Sequence, residues 1–330
     1  MRLRGLAALA LVAAVPVLAG CSSTPAGSAF TRDVAWVATS ASVTLPGKGV
    51  TPVHLAAQKV GKQVVLGSLP SALAYTAGEA GLLVVTQGDD TLHEVDPATH
   101  RVVHIAGVGV EPDAVAVVPG GSGDKGIALV ANLDSNTVTP VDLGTWRPGP
   151  AIPVGNEPVA IAVSGEGTAF VADFGSNQVT PIDVNTMQAG APITVGPGPQ
   201  TLAVAGSEVL VGNFTNSTLT SIDVSTLRAG PTVPLPLNPT GIAVAPSGAT
   251  AYVCGGAGVV PVSLTALGPD LGTKIALPGI AQGIALDATG NTAWVTQQAG
   301  TLVPVTLATG GVGKPIHLGG HPSAIVIGAG

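Results

Sequence analysis

Charge is scarce in this chain: only 9% of its 330 residues are Asp, Glu, Lys or Arg, and only 3% are aromatic. Disorder needs high charge with low hydrophobicity, and a chain that is 46% hydrophobic does not meet that description. Positive charge is scarcest, with 12 Lys and Arg against 19 Asp and Glu, a formal net charge of −7. Such a surface lacks the basic stripe that supplies most non-specific nucleic-acid affinity, and it has few aromatics on which bases could stack. Nucleic acid is therefore not expected as a partner, and single-stranded nucleic-acid binding stands only as a second alternative function. Cysteine is limited to Cys21 and Cys254, which excludes a disulfide framework. Cys254 ends the apolar run Ala251-Tyr252-Val253-Cys254 and reads as a small buried hydrophobe. Missing too are a His-x3-His zinc spacing, a Gly-x-Ser-x-Gly elbow and a Gly-rich phosphate loop. What is abundant is Gly (46) and Pro (28), without the strict Gly period of collagen. These residues cut regular structure into short pieces, which suits strands and tight turns better than long helices.

The N-terminus reads as an address. A basic stub from Met1 to Gly5 precedes an apolar run from Leu6 to Ala19, the anatomy of a secretory signal too short to span a ~30 Å hydrocarbon core. Leu18-Ala19-Gly20-Cys21 then resembles the lipobox of bacterial lipoproteins. The resemblance implies cleavage before Cys21, a lipid on its thiol, and an extracytoplasmic protein anchored to the cell membrane. Residues 1–20 are thus expected to be a signal peptide, 21–33 a Ser/Thr/Pro/Gly tether, and 34–330 one folded domain.

Within that domain the chain repeats itself. Pro70-Ser71-Ala72-Leu73-Ala74 returns as Pro112-Asp113-Ala114-Val115-Ala116, as Pro158-Val159-Ala160-Ile161-Ala162, and in four further copies that begin at Pro199, Pro239, Ala281 and Pro322. The steps are 42, 46, 41, 40, 42 and 41 residues. A bulky residue followed by Val recurs in all seven units, as Trp36-Val37, Leu83-Val84, Leu129-Val130, Phe170-Val171, Leu210-Val211, Tyr252-Val253 and Trp294-Val295. A period near 40 residues with four short strands per unit is the signature of a propeller blade. The expected fold is all-β, a seven-bladed β-propeller of four-stranded blades. The N-terminal unit lacks its first strand and the C-terminus ends in a lone first strand, so joining the two would complete a blade and close the ring.

These motifs resemble the YVTN-repeat family of seven-bladed propellers, found in bacterial surface proteins and related to lactonase-like propellers. One departure stands out: Pro52, Pro140, Pro181, Pro261 and Pro304 interrupt the third strand in five of the seven units. A proline there removes a ladder donor, so its missing N–H is expected to point toward an outermost strand that pairs poorly beside it.

In this architecture the loops between second and third strands and between blades share one face. Thr86, Asn132, Asp173, Asn213 and Gln297 end second strands, and Glu111 and Glu157 stand in inter-blade loops. Together they form the candidate ligand rim at the channel mouth. The competing reading is turn chemistry, because Asn, Asp, Ser and Gly are what tight hairpins demand. Asp96, Asp142, Asp183 and Asp223 each precede a turn of the form Asp-x-x-Thr and are explained by bonds to the following backbone.

The favoured function is a monomeric, non-enzymatic binding module without a cofactor, which offers its channel mouth to a protein partner or a small hydroxylated ligand. The alternative is a lactonase-like or calcium-assisted hydrolase using Glu157, Asp173 and Asn213. A phosphosugar substrate is disfavoured, because Arg101, Arg147 and Arg228 fall in turns of the opposite face.

Overall fold

The computed structural model describes residues 33–40, 49–121, 125–265 and 268–328. The leader, Cys21 and nearly all of the tether lie outside the described residues. Alternating apolar residues in each unit produce short antiparallel strands, and these assemble into seven separate sheets. Blade 2 is typical in order: Pro70–Tyr75 innermost, then Leu82–Thr86, Thr91–Asp96 and, outermost, Arg101–Gly107. Blades 3 to 7 follow in sequence, and the whole is a seven-bladed β-propeller.

Blade 1 is built from both ends of the described chain. Its innermost strand, His321–Ile327, pairs antiparallel with Val34–Ser40 in the register Trp36↔Val326, Val37↔Ile325 and Ala38↔Ala324. The ring is therefore closed by hydrogen bonds between segments nearly 290 residues apart in sequence.

There is no central core. Buried apolar side chains form seven clusters, each shared by two neighbouring blades. Strand alternation explains this: Leu129 and Ala131 face blade 4, whereas Ala128 and Val130 face blade 2. Small residues line the narrow inner ends (Ala74, Ala116, Ala162), and Trp36, Phe170 and Trp294 fill the widening gaps farther out. At one such pair, volume is kept in three blades. Thr201 lies opposite Gly212 in blade 5, and Gly283 lies opposite Thr296 in blade 7, where Ala114 and Ala131 face each other in blade 3.

The third-strand prolines act as the sequence implies. In blades 1, 3, 4, 6 and 7 the outermost strand is split into two segments, such as Arg147–Pro148 and Ile152–Pro153 in blade 3. The split falls opposite the proline. Each proline carbonyl accepts one bond from an outer-strand glycine: Gly61, Gly149, Gly190, Gly272 and Gly313, all at 2.7–2.8 Å. In an antiparallel strand a residue's N–H and C=O point the same way, so the missing N–H also faces the outer strand. The glycines leave room for the proline ring: a Cβ would come within 2.8 or 2.9 Å of it at Gly313 or Gly61, and within 3.2–3.3 Å at Gly149, Gly190 and Gly272.

Candidate functional site

Each inner strand begins with the same irregularity. Pairing skips one residue after the opening position in six blades, leaving Ser71, Asp113, Val159, Gln200, Gln282 and Ser323 as bulges. Thr240 holds the equivalent place in blade 6, just before the strand Gly241–Val244. A bulge re-aims the side chain it carries, and these seven stand where the blades converge, on the face of the inter-blade loops.

Three of the hydroxyls link blade to blade. Ser323 Oγ donates to Pro70 O at 2.8 Å, Ser71 Oγ to Pro112 O at 2.9 Å, and Thr240 Oγ1 to Ala281 O at 3.2 Å. Each donor thus grips the opening residue of the next blade. The ring carries one acid. Asp113 is fully buried, accepts from Gln87 Nε2 at 2.6 Å through Oδ1, and leaves Oδ2 without a partner. Burial holds its carboxyl well above the usual range, with Glu111 adding to the effect, so the neutral acid is favoured.

The residues singled out from sequence at the ends of the second strands are buried and turned into their own blades. Asn132 Nδ2 donates to Thr139 Oγ1 at 2.9 Å and to Thr137 Oγ1 at 3.1 Å, and its Oδ1 accepts from Gly109 N. Asn213 binds Thr218 and Thr220 in the same way. Thr86 meets Thr91 at 2.7 Å, and Gln297 joins Thr301 to the carbonyl of Gly279. Asp173 Oδ2 accepts from Thr180 Oγ1 at 2.6 Å. Burial pushes the Asp173 carboxyl up to about 7, an effect that Thr180, the Gly155 N–H and Gln178 only partly offset. These side chains clasp the second strand to the third beneath the loops.

Glu111 and Glu157 do sit on the surface, at left-handed φ of 52° and 53°. Their N–H groups are held by the preceding blade's hairpin, by Asp90 Oδ1 at 2.9 Å and Asn136 Oδ1 at 2.8 Å. Gly198 is gripped likewise by Asn177. The hairpin Asp and Asn residues therefore serve as rigid clamps, as turn chemistry predicts. Asp173 and Asn213 bond within separate blades, and exposed Glu157 stands over the turn that follows Asp173, its carbonyl accepting from Phe174 N at 2.9 Å. Among the described residues no group of three or more His, Cys, Asp or Glu is placed to hold a metal ion.

Other sequence candidates resolve simply. Cys254 is buried, and its thiol is pushed up to about 12 by that burial. Asp142 Oδ1 accepts from Thr145 N at 2.7 Å, and such bonds hold Asp96, Asp142 and Asp223 below the ordinary carboxylate value. What sequence reasoning missed is the bulge. The position after the opening proline was visible as Ser, Asp, Val, Gln, Thr, Gln, Ser, but nothing local says that it leaves the ladder. Two surface grooves, of about 720 and 610 Å³, lie away from the axis, one against the outer strand of blade 2 and one against that of blade 5.

No protein-family model and no curated protein sequence matches the chain. Solved structures do. A functionally unknown protein from Desulfotomaculum acetoxidans superposes with a TM-score of 0.77 at 16% identity, over 89% of this chain and 98% of that one. The periplasmic gluconolactonase of Pseudomonas aeruginosa gives 0.74 at 18% identity, over 89% and 98%. Hydrazine synthase of Kuenenia stuttgartiensis gives 0.70 at 18% identity, over 81% and 92%. At these identities the likeness is one of fold.

Proposed function

We propose that this chain is a YVTN-type propeller, anchored outside the cytoplasm through lipidated Cys21, that binds a small hydroxylated ligand at its axial mouth without chemistry. The observation behind this reading is a polar ring that is nearly free of charge. Ser71, Gln200, Thr240, Gln282 and Ser323 hold in their blades the position of Asp113, whose burial favours the neutral acid, and only Val159 there is apolar. The side-chain amides carry both donors and acceptors, and the hydroxyls, whose protons go to the next blade, keep acceptor lone pairs, which suits hydroxyl groups better than ions. Exposed Glu111 and Glu157 flank this ring and would repel anionic ligands. No cofactor is required.

A thermal-shift screen with neutral sugars, lactones, sugar phosphates and Ca²⁺ tests the ligand class. Neutral sugars should raise the melting temperature of the wild type but not of Gln282→Ala, and a response confined to sugar phosphates or Ca²⁺ would reject the reading. The second reading, a lactonase-like hydrolase, is favoured by the likeness to the Pseudomonas aeruginosa enzyme. It predicts lactone turnover that Asp113→Asn abolishes. Anchoring is tested by Cys21→Ser, which should move the protein from the membrane to the soluble fraction.

A further inference from the structure

Propeller blades expose their outermost strands, and an unprotected edge is a template for pairing with another chain. Six of the seven blades here are blunted. The last outer-strand position can be located by the residue after it, whose N–H turns inward to a hairpin carbonyl: Val108 to Asp90, Val154 to Asn136, Val195 to Asn177, Leu235 to Ser217 and Leu318 to Gly300. By strand alternation the preceding residue, and the one two before that, point their N–H groups outward. In blades 3, 4, 5 and 7 one of these two outward positions is proline: Pro153, Pro192, Pro234 and Pro315. In blades 1 and 6 the outer strand is split, and Lys62 and Lys274 stand beside the break.

Blade 2 has none of these devices. Its outer strand Arg101–Gly107 is one seven-residue element without proline, bulged once at Val103 (Glu94↔His104, Val95↔Val102), and beyond the bulge Ile105 and Gly107 hold the outward N–H groups. Val103 and Ile105 are 47% and 58% exposed on it, and Val65 of blade 1, which lines the groove beside Arg101 and Val102, is 71% exposed. The groove of about 720 Å³ beside it is lined by Lys62, Val65, His100, Arg101 and Val102 among others, and by no Asp or Glu. In a chain with a net charge of −7 this is a local reversal of sign.

We infer that the outer edge of blade 2 is a docking site for an extended, acidic segment of another protein, which adds to the sheet as a further strand. Main-chain bonds to Ile105 and Gly107 would supply affinity, and Val103, Ile105, Lys62 and Arg101 would select a strand of alternating β-branched and carboxylate side chains. The charge of the groove argues for that partner over a second copy, since this chain is itself acidic but lends no carboxylate-rich strand of its own at the edge. The surface is separate from the axial mouth and does not depend on the reading given for it.

The probe is a labelled peptide of about seven residues alternating Val and Glu, titrated into the full-length chain in detergent and followed by fluorescence anisotropy. The decisive variant is Gly107→Pro. Blade 5 already holds Pro234 at the aligned position, each paired with the first residue of its third strand (Thr91↔Gly107, Thr218↔Pro234), so the variant should fold. We expect saturable binding by the wild type, weakened roughly tenfold or more by Gly107→Pro and by Arg101→Glu, with unchanged melting temperature. A Val/Lys peptide should bind at least about tenfold more weakly than the Val/Glu peptide. Absence of binding, equal binding by Gly107→Pro, or no preference between the two peptides would overturn the inference. So would a wild-type dimer, seen by sedimentation, that Gly107→Pro dissociates, because the edge would then belong to a second copy.

Discussion

Five blades carry a proline in the third strand and two do not, and their outer edges differ accordingly. Where Pro52, Pro140, Pro181, Pro261 or Pro304 stands, one outer-strand glycine bonds to the proline carbonyl and the strand divides around it. Where Glu94 or Ser221 stands instead, the outer strand runs as one element from Arg101 to Gly107 and from Arg228 to Pro234, with a single bulge at the same level in each. Both surface grooves border a proline-free blade. One residue per repeat thus sets whether the outer strand divides, while the inner three strands hardly change. The two proline-free blades also differ from each other. Blade 5 keeps Gly230 opposite Ser221 and has prolines of its own, whereas blade 2 has Val103 there and a Glu94–His104 pair at 2.7 Å, with His104 stacked on Trp146.

The largest effect should come from removing an inner strand, where blades do not differ. Ending the chain at Gly320 deletes the strand that closes blade 1 and uncovers Trp36 and Val37. No cooperative melting transition at the wild-type temperature is expected, and a truncated chain that melts like the full one would show that the closure is dispensable.

Glu94→Pro should cost roughly 2–4 kcal/mol, because it breaks the pair with His104 and drives the proline ring against the Cβ of Val103. Adding Val103→Gly supplies the missing glycine and should recover about half of the loss in urea melts. A double variant no more stable than the single one would mean that the Pro–Gly pairing is incidental.

Asp173 tests a difference between blades at one repeat position, since Asn132 and Asn213 hold its place in blades 3 and 5. Its carboxyl is raised from 3.8 to about 7 in the fold, so the native state holds a proton that the unfolded chain has lost between those values. Stability therefore falls as pH rises through that window, and Asp113, shifted the same way, adds to the trend. Asp173→Asn should stabilise the fold in urea melts at pH 8 by on the order of 1–3 kcal/mol more than at pH 5. An equal change at both pH values would show that Asp173 is charged in the fold.

Ser221→Pro should be the mildest, at about 1 kcal/mol or less, because Gly230 is already in place to receive the ring. Faster hydrogen exchange confined to Arg228–Pro234 would report the split strand. A loss as large as that from Glu94→Pro would remove the distinction between the two blades.

The period, the seven units, the closing strand and the edge-breaking prolines were legible in the sequence because each is a local pattern repeated, and repetition cancels local noise. Part of the candidate site was legible as well. The spacing Asn132, Thr137, Thr139 recurs as Asn213, Thr218, Thr220, and it marks a clasp between adjacent strands instead of a ligand rim. That distinction rests on which face of the sheet a side chain takes, and the neighbouring blade decides it. Asp113 shows the limit most clearly. Its sequence neighbours resemble those of Val159 and Gln200, and only the bulge, the reach of Gln87 from the previous blade and the burial they cause make it the single acid in the ring. Sequence determined how many blades there are and where each begins, since those depend on patterns within about 40 residues. The tertiary structure decided which polar groups are spent on holding blades together and which remain available, because desolvation and hydrogen bonding depend on groups brought together from different repeats.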